Sequence, residues 1–228
     1  PSNPPGAVYD EAELKALGAV LERHPHVYVL ADEIYDEIWF GEGKLVTLVE
    51  AVPQLKERIF AVNGVSKSYA MTGWRLGYAA GPRPLINAIN KLQSQSSSCP
   101  SSISQAAAAA ALDGDQSFVT ESGKAYRRRR DIAVELLNAI PGLSCKAPDG
   151  AFYLFVNCAG AIGKKTRDGS HEIASDLDFV LYLLDNGVAA IHGAAYGLSP
   201  YFRLSIATSE ELIREACHRI ADACGRLA

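Results

Sequence analysis

The sequence predicts an α/β protein in two parts, and three observations support this prediction. Short apolar runs alternate with helical segments up to residue 112, as in a mainly parallel sheet covered by helices. After Asp113-Gly114-Asp115 the regular alternation stops, and a long helix leads into a mixture of strands and helices. At 228 residues the chain can bury one sizeable core or two modest ones. We therefore predict an α/β domain over residues 1–115 and a smaller α+β domain over residues 116–228.

The elements of the first part follow from local patterns. The helix that opens this part has Asp10 as a candidate N-cap and leucines at helical spacing. The apolar runs are short and rich in β-branched residues, which favours strands buried on both faces of a sheet. Helices are predicted at residues 10–23, 83–95 and 101–112. Strands are predicted at residues 27–31, 58–63 and 76–81.

The second part begins with a long helix predicted over residues 116–139. A polar stretch with several glycines and lysines, residues 157–172, is predicted to be a loop. Gly187 is a candidate C-cap, and Ser209 is a candidate N-cap for the closing helix. The remaining strands are predicted at residues 151–156, 188–191 and 201–206. The remaining helices are predicted at residues 176–186 and 209–226.

Composition narrows the classes of function. The formal net charge of −4 provides no overall attraction to nucleic acid or to an anionic membrane. No apolar run reaches the roughly 18 residues that a transmembrane helix needs, and no signal peptide is visible. The five cysteines show no metal-ligand or disulfide spacing, so free thiols in a reducing cytoplasm are expected. We predict no metal, no nucleic-acid partner and no membrane partner.

Two charged residues stand where the predicted sheet would place a ligand. In open α/β sheets, ligands bind beyond the carboxyl ends of the strands. Asp32 directly follows the first predicted strand, and Lys67 follows the second by a few residues. Taken singly, Asp32 is more simply a helix cap and Lys67 a surface lysine. Their occurrence within longer motifs is what favours a functional role.

Four segments together resemble one known family. They are Ser2-Asn3-Pro4-Pro5-Gly6, Ala31-Asp32-Glu33-Ile34-Tyr35, the segment from Asn63 to Tyr78 around Lys67, and Phe202-Arg203-Leu204-Ser205. In this order and at these spacings they resemble the fold-type I, pyridoxal-phosphate (PLP) dependent aminotransferases of class I and II. The resemblance covers essentially the whole chain. Ala151-Phe152-Tyr153 and residues 188–197 are most similar to the bacterial aspartate aminotransferase branch.

The resemblance implies that three residues hold the cofactor ring and phosphate. Lys67 corresponds to the lysine that forms a Schiff base with the PLP aldehyde and then moves a proton. Arg75 corresponds to the arginine that binds the phosphate, because a planar guanidinium matches a phosphate in a bidentate fork. Asp32 corresponds to the carboxylate that keeps the pyridine nitrogen protonated, so that the ring can accept electrons.

Three further residues complete the implied site. Tyr35 and Asn3 resemble the pair that hydrogen-bonds the phenolic oxygen of PLP, and Asn3 also reaches the substrate carboxylate in the family. Arg203 resembles the arginine that binds the substrate α-carboxylate. Two positions depart from the family pattern: Gly64 stands where many members carry a phosphate-binding Ser or Thr, and Pro5 replaces the usual Thr. Ser66 could supply the missing contact or could be a turn residue.

The function that the resemblance implies is transamination between an L-amino acid and a 2-oxo acid. Aspartate with 2-oxoglutarate is the first expected pair, and an aromatic or broad-specificity aminotransferase is the alternative. A lyase or decarboxylase of the same fold stays open, because the shared residues do not fix which bond to the α-carbon breaks. A PLP-sensing domain of a transcription regulator also stays open; a basic helix-turn-helix upstream would favour it.

The opening Pro- and Gly-rich turn suggests that the sequence is a C-terminal piece of a longer protein. The resemblance implies that part of the phosphate-binding loop, the ring that stacks on PLP and contacts to a second subunit lie upstream. We therefore expect a cytoplasmic homodimer for the full-length protein. For the 228-residue piece alone we expect no measurable turnover.

Overall fold

The computed structural model describes all residues from Pro1 to Ala228, and contacts within the chain group them into two compact units. The first unit comprises Pro1 and Val8–Gly123, and the second comprises Ser2–Ala7 and Lys124–Ala228. This division lies eight residues beyond the predicted boundary between residues 115 and 116 (123 against 115) and assigns the opening turn to the second unit. The domain boundary of the whole protein stays a prediction.

The first unit contains the helices and strands that the sequence predicts, together with one that it does not. Its helices are α1 (Glu11–Glu22), α2 (Leu48–Ala51), α3 (Arg83–Ser96) and α4 (Ser102–Asp113). Its strands are β1 (Val29–Asp32), β2 (Ile59–Gly64) and β3 (Gly77–Ala80). A long helix, α5 (Ser117–Asn138), begins in this unit and ends in the second. The four-residue α2 has no periodic pattern and was not predicted.

Helix α1 begins where the sequence predicts, because Asp10 and Glu13 form a capping box. The Asp10 carboxylate accepts a hydrogen bond from the Glu13 N–H at 2.7 Å, and the Glu13 carboxylate accepts one from the Asp10 N–H at 2.8 Å. Two otherwise unpaired backbone donors at the helix start are thereby satisfied. The face carrying Leu14 and Leu21 packs into an apolar cluster with α2 and the start of β2.

Replacing Asp10 with alanine is expected to lower the free energy of unfolding by about 1 kcal/mol, because the cap and its reciprocal partner are both lost. Urea-induced unfolding of the full-length protein would measure this change. Asp10→Ser is the matched control, because serine is also a good N-cap and should retain most of the stability. Equal stability of the alanine and wild-type proteins would contradict the prediction.

The sheet of the first unit has the order β1-β2-β3. Strands β1 and β2 are parallel, with Val29 opposite Ile59 and Asp32 opposite Val62. Strand β3 runs antiparallel to β2, so the predicted parallel character of the sheet rests on the β1–β2 pair. This pair is what matters for a site, because parallel strands bring their carboxyl ends to the same edge.

The prediction that the strands are buried on both faces is wrong for β1 and β3 in this chain. In β1, Val29 and Ala31 pack against the apolar cluster below α1 and α2, while Leu30 on the opposite face is 66% exposed. All four residues of β3 are exposed. Both are edge strands of a three-stranded sheet, and an apolar run alone does not show whether one face or two are covered.

The second unit is built around a four-stranded antiparallel sheet of order β4-β5-β7-β6. Its strands are β4 (Ser144–Cys145), β5 (Tyr153–Asn157), β6 (Ile191–His192) and β7 (Tyr201–Ser205), and its helices are α6 (Asp176–Asp185) and α7 (Glu210–Gly225). The predicted strand at 188–191 is largely wrong, since only Ile191 belongs to β6. Val188 is buried but not in a strand, so its apolar character reflects packing.

The core of the second unit lies between this sheet and its helices. Phe179 of α6 packs edge-to-face on Phe202 of β7, with ring centres 5.5 Å apart. Leu154, Leu183 and Ile220 are fully buried in the same core. The core fixes the direction of β7, so that alternate residues of this strand point away from it. Arg203 follows Phe202 and therefore lies on the opposite face.

Candidate functional site

Lys67 lies in a tight turn that follows β2. The Ala70 N–H donates to the Lys67 carbonyl at 3.1 Å, and the Met71 N–H donates to the Val65 carbonyl at 3.3 Å. Val65 is fully buried, which anchors the start of the turn. Lys67 itself is half-buried, and its amine lies 6.0 Å from the centre of the Tyr35 ring. The turn thus holds an amine beside an aromatic ring at the carboxyl end of a buried strand.

Asp32 and Tyr35 belong to the turn that follows β1, the parallel neighbour of β2. The Asp32 carboxylate accepts a hydrogen bond from the Ile34 N–H at 3.2 Å, so it closes a turn rather than capping the helix that was the simpler interpretation. Tyr35 is buried, and the Ile38 N–H donates to its carbonyl at 2.9 Å. Asp32 remains exposed at the strand end. Its carboxylate is therefore accessible although it also shapes the turn.

A polar bridge joins the ends of β1 and β2. The Asn63 side-chain amide donates to the Asp36 carboxylate at 2.7 Å, while the Asn63 side-chain carbonyl accepts from the Gly64 N–H at 2.7 Å. Burial raises the pKa of Asp36, although hydrogen bonds from Glu37 and Asn63 act in the opposite direction. Burial and the neighbouring Asp36 also raise the pKa of Glu33. The bridge ties the Tyr35 turn to the strand that leads to Lys67.

Gly64 has little room for a side chain. A Cβ at this position would lie 3.1 Å from the Leu76 carbonyl oxygen and 3.2 Å from Ile34 Cδ1. This crowding gives a physical reason for the departure from the Ser or Thr of the family pattern. The structure shows no contact of the Ser66 hydroxyl that would identify it as a replacement for the Ser or Thr of the family pattern. The role of Ser66 therefore stays open.

Arg75 adopts an unusual backbone conformation at the end of the Lys67 segment. Its φ and ψ angles are 52° and 49°, the left-handed region that residues with a side chain rarely adopt. One guanidinium nitrogen donates to the Thr72 carbonyl at 2.9 Å, and the side chain is otherwise exposed. Such strained residues are enriched at binding sites, where the conformation directs a side chain towards a ligand.

The opening turn belongs to the second unit, where Gly6 fastens it. The Gly6 carbonyl accepts from the N–H groups of Asp149 and Gly150 at 3.0 and 3.1 Å. Gly6 has a φ of +64°, and a Cβ there would lie 2.5 Å from both the Gly150 oxygen and Pro148 Cβ. Only glycine fits this position without a shift of the backbone. The turn is therefore fixed against the loop that precedes β5.

Arg203 meets the opening turn from the centre of the sheet. Its Nη1 donates to the Asn3 side-chain oxygen at 2.8 Å, although the two residues are 200 positions apart. Its guanidinium carbon also lies 4.3 Å from the centre of the Tyr153 ring and 5.2 Å from that of Tyr196. The arrangement presents a cation in a fixed direction, as the binding of a carboxylate requires.

The six predicted site residues fall into two sets. Asp32, Tyr35, Lys67 and Arg75 belong to the first unit, and Asn3 and Arg203 belong to the second. Within the first unit the Tyr35 ring and the Lys67 amine lie close together, and within the second unit Arg203 contacts Asn3 directly. The role of each residue, and the convergence of the two sets on one ligand, stay predictions.

Sequence reasoning missed the aromatic surroundings of Arg203. Tyr153 had been used only as part of a family-like segment, and Tyr196 was not singled out. A long-range contact of this kind leaves no local pattern in the sequence. The contact with Tyr153 becomes visible only from the register of β5 and β7. This register places Phe155 opposite Arg203, and Tyr153 lies two residues before Phe155 on the same face of β5.

The cysteines are free, as predicted, and four of them are poor nucleophiles. Burial raises the pKa of Cys145, Cys217 and Cys224 to about 11, and that of Cys158 to about 12. Because the thiolate is the reactive form, little of it is present at neutral pH. Cys145, Cys158 and Cys217 therefore act as small apolar side chains in the core of the second unit, and Cys224 is partly buried.

Alkylation by iodoacetamide at pH 8 is expected to be at least about 100-fold slower at these four thiols in the native protein than in the unfolded protein. The reason is the combined loss of thiolate and of access. Mass spectrometry of tryptic peptides would measure each site, with the guanidinium-unfolded protein as the control. Native labelling of Cys158 at the unfolded rate would show that its environment is not the buried one described.

No helix has the length and apolar character needed to cross a membrane. No group of three or more His, Cys, Asp or Glu side chains is arranged to hold a metal ion.

Comparison with known proteins shows which family the chain resembles. The model of the family described as aminotransferase class I and II matches residues 1–220. The chain is 54% identical over its whole length to the aspartate aminotransferase of Rhizobium meliloti (strain 1021), and it covers 56% of that protein. It is 51% identical over 99% of its length to a probable aspartate/prephenate aminotransferase of Rhizobium leguminosarum bv. phaseoli, covering 56% of that protein.

Solved structures give the same picture of the fold. The crystal structure of the aspartate aminotransferase from Rhizobium meliloti matches the whole chain with a TM-score of 0.95 and 54% identity. The chain covers 57% of that structure. It thus spans about half the length of the relatives that it matches.

Proposed function

The chain belongs to the aminotransferase class I and II family, and from this premise we propose that the whole protein is a PLP-dependent aminotransferase. The reaction is the transfer of an amino group between an L-amino acid and a 2-oxo acid. We propose L-aspartate and 2-oxoglutarate as the first substrate pair, which agrees with the names of the relatives. The full-length protein is proposed to be a cytoplasmic homodimer that acts on these small molecules.

The observation that carries the proposal is the position of the Lys67 amine. It stands 6.0 Å from the centre of the Tyr35 ring, in the turn after β2. The parallel neighbour β1 ends at Asp32, so the amine and the carboxylate follow adjacent strand ends. A surface lysine without a function would not require a partly buried turn and a neighbouring aromatic ring.

The donor groups of the first unit fit the chemical groups of PLP. When bound, PLP supplies an aldehyde that condenses with amines and a pyridinium ring that withdraws electrons from the substrate α-carbon. Lys67 would hold the aldehyde carbon, Asp32 the pyridine nitrogen, Tyr35 the phenolic oxygen and Arg75 the phosphate. Each pairing joins complementary donors, acceptors or charges.

Each residue then has a defined task in the reaction. The Lys67 amine, once free and neutral, accepts the proton from the substrate α-carbon. The Asp32 carboxylate would keep the pyridine nitrogen of bound PLP protonated. Arg203 binds the substrate α-carboxylate in a bidentate fork, and Asn3 holds one edge of that guanidinium at 2.8 Å. A fixed guanidinium orients the α-carbon for proton removal.

A coupled assay of the full-length protein with PLP, L-aspartate and 2-oxoglutarate tests the proposal. Formation of oxaloacetate and glutamate in the presence of PLP, and a large loss without it, is the expected result. Replacing 2-oxoglutarate as amino acceptor by prephenate tests the second activity that the names of some relatives print. Wild-type protein that binds PLP but transaminates none of these pairs would refute the proposal.

A further inference from the structure

The guanidinium of Arg203 lies close to two tyrosine rings that come from different parts of the second unit. Tyr153 is the first residue of β5, and its ring centre is 4.3 Å from the guanidinium carbon. Tyr196 ends a short 3₁₀ helix after β6, and its ring centre is 5.2 Å from the same carbon. Both separations are within the range of attractive cation–π contacts, in which an arginine lies over a ring face.

Tyr196 belongs to a compact segment, residues 193–199, that we call the 193–199 turn. The Gly197 N–H donates to the Ala194 carbonyl at 3.0 Å, and the Leu198 N–H donates to the Gly193 carbonyl at 3.1 Å. A Cβ on Gly193 would lie 2.1 Å from the Leu198 oxygen, so the turn closes too tightly for any larger residue there. The turn therefore has one conformation that places Tyr196.

Asp176 ties both ends of the 193–199 turn to α6. Its Oδ2 accepts a hydrogen bond from the Ala194 N–H at 2.9 Å and another from the Ser199 hydroxyl at 2.8 Å. Asp176 is only 3% exposed and is the first residue of α6. A buried carboxylate with two donors of one turn fixes that turn more firmly than exposed loop contacts would.

The charge state of Asp176 strengthens its hydrogen bonds to the 193–199 turn. Burial alone would raise its pKa, but the hydrogen bonds from Ser199 and Ala194, together with nearby His192, hold the pKa below its ordinary value. The group is therefore anionic at neutral pH, where it accepts hydrogen bonds most strongly. Its place at the start of α6 is also favourable for a negative charge.

We propose that Tyr196 and Asp176 are positioning residues for Arg203. Asp176 holds the 193–199 turn, the turn holds Tyr196, and Tyr196 with Tyr153 holds the guanidinium in the orientation that receives an α-carboxylate. The inference rests on the proposed role of Arg203 in binding the substrate. An arginine that is already ordered loses less conformational freedom when its ligand binds, so the carboxylate binds more tightly.

Tyr196→Leu tests the ring in the full-length, PLP-loaded enzyme. We expect the KM values for L-aspartate and 2-oxoglutarate to rise together by about tenfold, equivalent to about 1.4 kcal/mol, because both substrates carry an α-carboxylate. The kcat should fall less than KM rises, and the visible absorption of the bound cofactor should stay unchanged. Tyr196→Phe retains the ring face and should recover most of the loss.

Asp176→Asn tests the anchor, with Asp185→Asn as the matched control. Asp185 lies on the same helix but is exposed and pairs only with His171 at 3.0 Å, away from the 193–199 turn. We expect Asp176→Asn to raise both KM values by about three- to tenfold and the control to leave them unchanged. If Asp176→Asn fails to fold, Ser199→Ala replaces it as the test. Ser199→Ala removes one of the two hydrogen bonds and leaves the charge of Asp176, so we expect a smaller increase in both KM values.

Several results would overturn the inference. KM values of Tyr196→Leu within about twofold of wild type would do so, as would an equal loss in Tyr196→Phe, since the hydroxyl would then matter rather than the ring face. Unchanged KM values in both Asp176→Asn and Ser199→Ala would show that the contacts of Asp176 with the 193–199 turn do not position Arg203. A wild-type enzyme without transaminase activity would instead refute the proposed function, so the two failures are distinguishable.

Discussion

Replacing Lys67 with alanine in the full-length protein is expected to abolish measurable transamination while the fold is kept. In the proposed function, the lysine serves both as the amine that holds the cofactor and as the base that takes the α-carbon proton. Loss of general acid–base catalysis alone is typically worth about 10²–10⁴-fold, and loss of the amine adds to it. The change of kcat with L-aspartate and 2-oxoglutarate measures the effect, and far-ultraviolet circular dichroism verifies the fold.

Two controls make the Lys67 result specific. Lys56→Ala removes an exposed lysine from the same unit and should leave kcat within about twofold of wild type, since exposed surface substitutions are usually near neutral. Borohydride reduction of wild-type enzyme with PLP should attach the cofactor to Lys67, as identified by peptide mass spectrometry. Near-normal turnover of Lys67→Ala, or reduction that labels another lysine, would contradict the assignment.

Arg203→Ala is expected to lower kcat/KM by about 10²- to 10³-fold for both substrates. Truncating one partner of a buried, hydrogen-bonded charge pair costs about 2–5 kcal/mol, and each 1.4 kcal/mol is about a factor of ten. The substrate loses both the bidentate contact and its orientation. Arg203→Lys should recover only part of the loss, because an ammonium cannot form the planar fork.

The cofactor spectrum separates the two largest predictions. Arg203→Ala should retain PLP with its wild-type absorption, whereas Lys67→Ala should change that absorption. Arg214→Ala, at an exposed position on α7, is the matched arginine control and should leave kcat/KM within about twofold of wild type. Unchanged kcat/KM in Arg203→Ala would show that another group binds the α-carboxylate.

Local signals in the sequence were enough for most helices and for several strand ends. The Asp10 cap and the Ser209 cap were both predicted, and both side chains accept hydrogen bonds from the first turns that follow them. These interactions involve residues three positions apart, which a sequence displays directly. Helix α2 was missed although the Glu50 carboxylate accepts a hydrogen bond from the Thr47 N–H at 2.9 Å, a local contact of the same kind. A helix of four residues carries no period to detect, and α2 is also held by packing against α1 and β2.

Exposure could not be predicted from the same patterns. Residues 27–31 were expected to be covered on both faces. In this chain, which spans about half the length of the relatives that it matches, Tyr28 and Leu30 are 65% and 66% exposed. An apolar run predicts a strand. Whether one face of that strand or both are buried depends on the elements that pack on each side of the sheet. The same reason explains Val188, which was assigned to a strand although it packs in the core outside any strand.

For the site, family motifs indicated the residues that we propose to bear chemistry but not those that we propose to hold them in place. Lys67, Arg75 and Arg203 stand inside motifs that can be read in order along the chain. Asp176 and Tyr196 do not, because their relation to Arg203 depends on a turn, a helix start and a sheet register at once. Residues that act through other residues are visible only when the distances between them are known.

The second unit is assembled from two separate stretches of the chain, and this affects when it can fold. Asn3 and Gly6 belong to its opening turn, yet Arg203, the partner of Asn3, lies 200 residues later. At a synthesis rate of about 5–20 residues per second, about 10–40 s separate the appearance of the two. Closing so long a loop also carries an entropic cost before any contact compensates for it. The opening turn therefore joins the sheet late, and the guanidinium of Arg203 acquires its Asn3 contact only when this unit is nearly complete.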